Sequence, residues 1–241
     1  MGRRHRDHAT AIGAALAAGD APASVFTHFH SADVPDDTMA GQLARFTQVL
    51  AGFDERPACV HVANSAAILR GVPGGPWDAA RPGIALYGVS TWPGSDWTPA
   101  PVATLTAPIV ALRDIPAGES VSYLATWRAA STRRIATVAC GYADGLPRTA
   151  GNTHVARVHD ASVPIVGVVT MDMAMLDVTD VPCEVGDEAT IIGWGGATVA
   201  DLARATGRSP YELLTGLRPR GVRVSVDTGP ARAPRLAGAS A

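Results

Sequence analysis

The sequence predicts a fold in two parts, an α/β part followed by a β-rich part. Three observations carry this prediction. Strand-like apolar runs alternate with helical patterns over the first hundred residues, a Pro/Trp/Gly-rich segment (STWPGSDWTPAP, 90–101) follows, and short strand-like runs fill most of the remainder. The chain has 241 residues, of which 47% are hydrophobic and 17% charged, and this suits one large or two modest domains.

The α/β part is predicted from patterns of strand and helix that follow one another along the chain. Strand–helix–strand order is typical of parallel strands joined by crossover helices. We expect helices at 9–19, 38–53 and 65–71 and strands at 24–30, 58–64 and 83–89. The helix at 38–53 is amphipathic, and its apolar side carries Leu43, Phe46, Val49, Leu50 and Phe53.

The β-rich part is predicted from closely spaced strand-like runs separated by Gly-Glu, Gly-Asp and Asp-Gly turns. These runs lie at 102–115, 133–142, 154–160, 162–171, 173–179 and 188–194, and they predict a barrel or a sandwich. One helix is expected at 198–207, with Thr198 as N-cap, Asp201 completing a capping box and Gly207 at its end. The expected domains are 1–100 and 101–230, with a disordered tail at 231–241.

Composition excludes several classes of function. The net charge is −2, which argues against a nucleic-acid-binding surface. All 20 basic residues are arginine, so no lysine amine can form a Schiff base. The 3 cysteines are far apart, which predicts neither a metal site nor a disulfide framework, and reduced cysteines are typical of a cytoplasmic protein. The N-terminal sequence resembles neither a secretory signal nor a membrane span.

Several polar residues follow the strands of the α/β part, where sites gather in parallel architectures. His28 ends the first strand, Asn64 and Ser65 join a strand to a helix, and Arg81 precedes Gly83. A Ser hydroxyl with amides at a helix start suits an anion such as phosphate, and glycine lets backbone approach a ligand. Each residue also has a structural alternative. His28 could have its hydrogen bonds made within the fold, Asn64 or Ser65 could be an ordinary N-cap, and Arg81 could be a solvated arginine in a surface turn.

The β-rich part also carries candidate residues. Tyr142 follows a strand-like run in CGYADG, Met171 and Asp172 lie between two runs, and Tyr211 follows Pro210 at a predicted helix start. The structural alternatives are a tyrosine ring that caps the core for Tyr142, a β-turn aspartate for Asp172 and a core aromatic residue for Tyr211.

Seven motifs together carry a family resemblance. THFHSAD, HVANSAA, RPGIALYG, VSYLATW, CGYADGLPR, VGVVTMDM and SPYELLTGL occur in the order and register of the alanine racemases, the fold-type III pyridoxal-phosphate enzymes. The resemblance covers the chain from Met1 to about Val226. It implies an α/β plus β fold, in which the C-terminal half of a (β/α)8 (TIM-type) barrel binds the cofactor and precedes a β domain that carries a catalytic tyrosine.

The resemblance implies which residues hold pyridoxal 5'-phosphate. Arg81 would face the pyridine nitrogen. Ser65 and the backbone of Gly83 and Ile84 would hold the phosphate, to which Tyr211 would hydrogen-bond. The full implied set for the cofactor is Arg3, Asn64, Ser65, Arg81, Gly83, Ile84 and Tyr211.

The resemblance also implies catalytic and substrate-binding roles. Tyr142 would be one of two bases that act on opposite faces of the substrate Cα, and His28 would join Tyr142 to Arg81 in a hydrogen-bond network. Because an ordinary tyrosine has a pKa of about 10, nearby positive charge would have to lower it. Met171 would offer a backbone amide to the substrate carboxylate, with Asp172 beside it.

The implied activity is interconversion of L- and D-alanine, with D-alanine supplied for peptidoglycan. The implied assembly is a cytoplasmic homodimer in which Tyr142 serves the neighbouring subunit's barrel. No partner nucleic acid, membrane or metal is expected.

The chain departs from the family in four places. The family's second base is a lysine in its first strand–helix unit, and this sequence contains none. We therefore expect a truncated or misassigned start, with a non-catalytic remnant acting as a dimerisation partner as the alternative. Leu124 stands where glycine is common, and Val168 stands where arginine is common. RPRGVRV ends less regularly than the family's proline-containing close.

Overall fold

A computed structural model describes residues 22–73, 75–92, 95–97 and 99–218. The helix expected at 9–19, the candidate residue Arg3 and the tail expected at 231–241 lie outside these residues.

The first part contains parallel strands joined by helices, as the sequence predicts. Strand β1 (Ser24–Phe26) is followed by helix α1 (Thr38–Leu50), strand β2 (Cys59–Asn64), helix α2 (Ser65–Arg70) and strand β3 (Ala79–Arg81). The sheet order is β1-β2-β3, and both pairs are parallel. All three strands therefore end at the same edge of the sheet, and this edge carries the candidate residues.

Helix α1 covers one face of this sheet through its apolar side. Met39 and Phe46 are buried, and Leu43 and Leu50 pack partly buried against the same cluster. The periodicity of the sequence places these residues on one side of a helix, and burying them against the alternating inward residues of β2 forms the core.

The prediction of a strand at 83–89 is wrong. Residues Ile84–Tyr87 form a turn of 3-10 helix, and strand β3 ends before it, at Arg81. The Ser65 hydroxyl accepts hydrogen bonds from the backbone N–H of Gly83 (2.8 Å) and Ala85 (3.3 Å), which removes the donors that a strand would give to a neighbour. Gly88 then ends the turn with φ 85°.

The second part is an antiparallel sheet that is nearly closed into a barrel. Its strands are β4 (Leu105–Ile115), β5 (Ser120–Val121), β6 (Trp127–Arg128), β7 (Arg133–Val138), β8 (Val155–Val158), β9 (Ala161–Pro164), β10 (Ala174–Asp177) and β11 (Glu188–Ile192). The main sheet has the order β10-β7-β4-β11-β8-β9, and β5 and β6 form a separate small hairpin that the sequence did not predict. Ile165, directly after β9, bridges to Leu176 of β10, so the two edges of the sheet approach each other.

Two helices follow the barrel. Helix α3 (Val199–Thr206) has the predicted capping box, since Thr198 Oγ1 accepts from Asp201 N and an Asp201 carboxylate oxygen accepts from Thr198 N. Gly207 ends it with φ 68°, as predicted. Helix α4 (Pro210–Gly216) begins with Pro210 at its first turn and is capped by Ser209.

The two parts share a hydrophobic core at the turn after β3. Ile84 and Val89 are buried in the same cluster as Ala107 and Ile191 of the barrel. The connection is tight, because a Cβ on Gly88 would lie 2.5 Å from the Ala100 carbonyl oxygen. Among the described helices, none is long and apolar enough to cross a membrane.

Candidate active site

Arg81 is the most constrained side chain at the carboxyl edge of the parallel sheet. Its Nη1 donates to His61 Nδ1 and to the His61 carbonyl (3.3 Å). Its Nη2 donates to the carbonyls of Thr27 (2.7 Å) and Val62 (3.4 Å), and its guanidinium lies 5.0 Å from the centre of the Phe26 ring. The Nε–H makes no hydrogen bond with the described residues, so it is the donor left for a ligand.

His61 is held as a neutral ring with a defined tautomer. Burial, and then the charge of Arg81, lower the pKa of His61 from its ordinary value, and the Asp78 charge opposes them. Because Arg81 can only donate, Nδ1 accepts and Nε2 carries the proton, which it donates to Ser24 Oγ (3.1 Å). The Phe26 ring stacks on the imidazole, with centroids 5.2 Å apart and planes at 11°.

Arg81 keeps its charge in this environment. Burial lowers the pKa of its guanidinium from its ordinary value. Arginine remains protonated at neutral pH even when it is partly buried, because its ordinary pKa is so high. The carbonyl groups around it stabilise the cation, so the site presents a fixed positive charge.

Within the described residues, Arg81 bonds to His61 and makes no hydrogen bond to His28, so the expected link through His28 stays a prediction. The His28 side chain is exposed and makes no hydrogen bond with the described residues, whereas His61 contacts Arg81 directly. The reason is topological, because β2 and β3 are neighbours and His61 lies on the strand next to that of Arg81, where it pairs with Ala79. Sequence reasoning missed His61, although a histidine inside the apolar run CVHVAN was a signal.

Asn64 and Ser65 lie next to Arg81, since Asn64 pairs with Arg81 across β2 and β3. Asn64 is the N-cap of α2, as the structural alternative predicted, because its Oδ1 accepts from Ala67 N (3.0 Å). Ser65 is buried and accepts the two amides of the turn after β3. The Ser65 hydroxyl proton has no acceptor among the described residues, so it can donate to a ligand.

Ile84 and Tyr211 lie in different environments. The Ile84 side chain is buried in the core, so only its backbone can contact a ligand. Tyr211, in the first turn of α4, is exposed, and burial of part of its phenol together with the charge of Asp33 raises the pKa of Tyr211 above its ordinary value of 10.0.

Tyr142 projects from one end of the barrel. It is 44% exposed, and it lines a cleft of about 590 Å³ together with Arg148 and Arg208. Its backbone N–H donates to the carbonyl of Thr170 (3.0 Å). Gly141 is required here, because a Cβ on this residue would lie 2.3 Å from Met171 O.

Met171 is therefore a neighbour of Tyr142. The Met171 carbonyl accepts from Ala143 N (3.0 Å), and the Met171 side chain is exposed. Asp172 follows in the same loop. Within the described ranges, no group of histidine, cysteine and carboxylate side chains could hold a metal ion.

Tyr123 is a second exposed tyrosine at this end of the barrel, and the sequence analysis assigns it no role. It is 69% exposed, and its neighbours Ser122, Leu124 and Ala125 have φ values of 66°, 65° and 47°. Such conformations are costly for residues other than glycine and cluster at functional sites. Ser122 Oγ donates to the Val168 carbonyl (2.6 Å), which fixes the loop against the segment that leads to Met171.

The described residues thus form two groups. The first is Arg81 with His61, Ser65 and the turn after β3, which offers a fixed cation and hydroxyl and amide donors to an anionic, heteroaromatic ligand. The second is the pair of exposed phenols, which can exchange protons. No hydrogen bond joins Arg81 to Tyr123 or Tyr142 within the described part of the chain.

Comparison with protein families gives matches to two adjacent models. Residues 1–91 match the alanine racemase N-terminal domain and residues 102–225 match the alanine racemase C-terminal domain. An alanine racemase of Methylobacterium sp. (strain 4-46) is 38% identical over 226 residues, covering 92% of this chain and 61% of that protein. One from Acidiphilium cryptum (strain JF-5) is 43% identical over 202 residues, covering 83% and 56%.

Solved structures agree. The alanine racemase of Streptomyces coelicolor A3(2) superposes with a TM-score of 0.82 at 34% identity, covering 89% of this chain and 60% of that one. The Bartonella henselae enzyme, whose structure has covalently bound pyridoxal phosphate, gives 0.81 at 28% identity, covering 90% and 61%. The chain spans somewhat more than half the length of these relatives. With matches to both domains across most of its length, this chain belongs to the alanine racemase family.

Proposed function

We propose that this chain supplies the pyridoxal-phosphate site and a proton-transferring tyrosine of an enzyme that interconverts L- and D-alanine. The observation that carries the proposal is the set of hydrogen bonds that Arg81 makes through Nη1 and Nη2, which leaves only its Nε–H for a ligand. Gly83, two residues further along the chain, donates its backbone N–H to Ser65 Oγ. A fixed cation beside a set of anion donors suits a phosphorylated pyridine ring.

The residues present fit the non-covalent part of such a cofactor. The Ser65 hydroxyl can donate to a phosphate oxygen, with Asn64 holding the start of α2 in place. A Cβ on Gly83 would come into van der Waals contact with Ser65 Oγ, at 3.8 Å. Tyr211, with its pKa raised, remains a protonated phenol that can donate as well. The covalent link to a lysine has no counterpart in this sequence.

Arg81 is suited to hydrogen-bond the ring nitrogen without protonating it. Pyridoxal phosphate, when bound, supplies the electron sink that makes removal of the Cα proton possible. Because arginine is a poor proton donor, the ring nitrogen would stay unprotonated and the electron withdrawal would be partial, which limits side reactions. His61 keeps Nη1 occupied, so the Nε–H stays the donor that can reach the ring nitrogen.

A tyrosine of the barrel would take or return the proton on one face of Cα. The family resemblance points to Tyr142, and the strained backbone on both sides favours Tyr123 for this role. Both phenols are exposed, so either hydroxyl could reach a substrate presented by another surface. The experiment below distinguishes them.

A homodimer would bring the two groups of residues together. Tyr123, Leu124, Tyr142, Met171 and Met173 are large exposed side chains at one end of the barrel. Such a surface is typical of an interface, and a second copy could present its Arg81 site to these phenols. Independently of the dimer, the parallel strands would belong to an eight-stranded barrel. Supply of D-alanine for peptidoglycan in the cytoplasm stays a prediction.

The experiment measures proton exchange at Cα in deuterated water with the purified protein and each alanine enantiomer. We expect Tyr123→Phe to lower the rate of exchange from one enantiomer by orders of magnitude. Tyr142→Phe should lower this rate by less. The reverse order would assign the role to Tyr142. Unchanged exchange in both variants would contradict the proposal for either tyrosine.

The missing lysine favours a second candidate, a non-catalytic partner that dimerises through the β domain. One simple observation distinguishes the two candidate functions. The DNA upstream of the first codon, translated in frame, either contains a strand followed by a lysine-bearing loop or does not. A chain that self-associates but exchanges no proton with either enantiomer would support the non-catalytic role.

A further inference from the structure

The loop of residues 27–30, which follows β1, is held by side chains from other elements. Each of its first three carbonyls accepts a hydrogen bond from a different side chain, at 2.7, 2.7 and 3.2 Å in chain order. The pairs are Thr27 with Arg81, His28 with Gln42 and Phe29 with Asn64. Two of these three donors belong to the proposed cofactor site, and Gln42 is the third.

Gln42 makes more bonds to this loop than the other two. Its Nε2 donates to the His28 carbonyl and to Thr27 Oγ1 (3.0 Å), and its Oε1 accepts from His30 N (3.2 Å). If the Gln42 amide were flipped, its oxygen would face the His28 carbonyl oxygen and its NH₂ group would face the His30 N–H, so neither hydrogen bond could form. The partners therefore fix the orientation of the amide.

The position of the Thr27 carbonyl matters because it accepts from Arg81 Nη2. Strand β1 ends at Phe26, so the ladder to β2 no longer holds residue 27. Phe29 anchors the loop in the core further along. Between these two points, the bonds from Gln42 fix where the Thr27 carbonyl points.

We propose that Gln42 is a positioning residue, which sets the loop 27–30 and, through the Thr27 carbonyl, the orientation of the Arg81 guanidinium. Helix α1 thereby acts on the site from outside it. The consequence for cofactor binding rests on the proposed function, whereas the consequence for Arg81 does not.

The test follows the arginine side-chain N–H signals by NMR, with Arg81→Gln identifying those of Arg81. A guanidinium held at both Nη atoms rotates slowly and gives separate signals. We expect Gln42→Met, which is similar in shape but cannot make these bonds, to shift or average the Arg81 signals. Gln48→Met is the matched control, because Gln48 is exposed on the same helix and makes no hydrogen bond with the described residues.

Gln42→Glu is the second variant. It keeps an acceptor for His30 N and loses the donors, so it should disturb the Arg81 signals at least as much. Arg81 signals that are the same in wild type and in both Gln42 variants would overturn the proposal. An equal change in Gln48→Met would overturn it as well, because the effect would then be a general one on α1.

Pyridoxal-phosphate binding gives the second readout. We expect Gln42→Met to weaken it by several-fold, up to about tenfold, the effect of one misplaced hydrogen bond to a charged group, while the midpoint of thermal unfolding follows that of Gln48→Met. If Arg81→Gln leaves cofactor binding unchanged, the proposed function fails. The Arg81 signals still decide the role of Gln42 in that case.

Discussion

At the scale of single residues, backbone strain is concentrated around Tyr123. Backbone conformations with positive φ cost a residue other than glycine on the order of 1–3 kcal/mol, and Ser122, Leu124 and Ala125 all adopt them. Leu124 is 79% exposed, so its side chain gains little from burial in return. The structure thus gives a physical reason to expect glycine to suit this position better than leucine.

Leu124→Gly should therefore be unusually harmless. Relief of the left-handed strain offsets the extra freedom of glycine in the unfolded chain, so we expect a change between zero and about 1 kcal/mol of stabilisation. Leu86→Gly is the control, because Leu86 is also exposed and its φ is not positive, and it should lose about 0.5–1 kcal/mol. Urea denaturation measures both, and equal losses would contradict the strain argument.

At the site, the sequence predicts which residues take part better than it predicts which of them contact one another. The positions of Arg81, Ser65 and Asn64 after strands follow from the parallel pattern, and the motif resemblance adds their roles. The partner of Arg81 could not be predicted, because the choice between His28 and His61 depends on which strands are neighbours in space. Strain at Leu124 was equally hidden, since no glycine marks it.

At the scale of elements, helix α3 is the best determined by its own sequence. Thr198, Asp201 and Gly207 make local bonds within a few residues, so no tertiary information was needed to place its ends. The predicted strand at 83–89 failed for the opposite reason. Its backbone donors are taken by Ser65, which is distant in sequence.

The capping box of α3 can be tested directly. Thr198→Ala removes the acceptor for Asp201 N and should lower the free energy of unfolding by about 1 kcal/mol. Thr198→Ser keeps the hydroxyl and should stay within a few tenths of wild type. A serine variant as unstable as the alanine variant in urea denaturation would mean that the methyl group, and not the cap, stabilises this helix.

At the scale of the whole molecule, His154 couples the stability of the barrel to pH. It is 4% exposed, and burial lowers its pKa, while its hydrogen bond to the Ile191 carbonyl (3.1 Å) and the charge of Asp201 oppose the shift. In the unfolded chain it titrates near its ordinary value of 6.5. The unfolded state therefore binds the proton first as the pH falls, and stability is lost below about pH 6.5 towards the lower folded pKa.

His154→Gln should flatten this dependence. Glutamine can still donate to the Ile191 carbonyl but does not titrate, so between about pH 7.5 and about pH 5.5 this variant should lose less stability than wild type. Thr153→Ala, next to it, removes no titrating group and should keep the wild-type slope. Identical slopes for wild type and His154→Gln would show that His154 does not carry the effect.

The division into a parallel part and an antiparallel part was predictable, because the two patterns of periodicity are distinct and local. The closing of the sheet between β9 and β10 was not, since a barrel and a sandwich have the same strand pattern. The small hairpin of β5 and β6 was also missed, because its strands are too short to show any alternation.

The central claim is that Arg81 and its surroundings form a pyridoxal-phosphate site, and equilibrium binding of the cofactor to the purified chain tests it most directly. We predict saturable binding that borohydride does not convert into a lysine adduct. Arg81→Gln should weaken it by about tenfold or more, as loss of a charged hydrogen bond does, while Arg113→Gln at an exposed position should not. Binding that is absent, or equally tight in wild type and Arg81→Gln, would contradict the account.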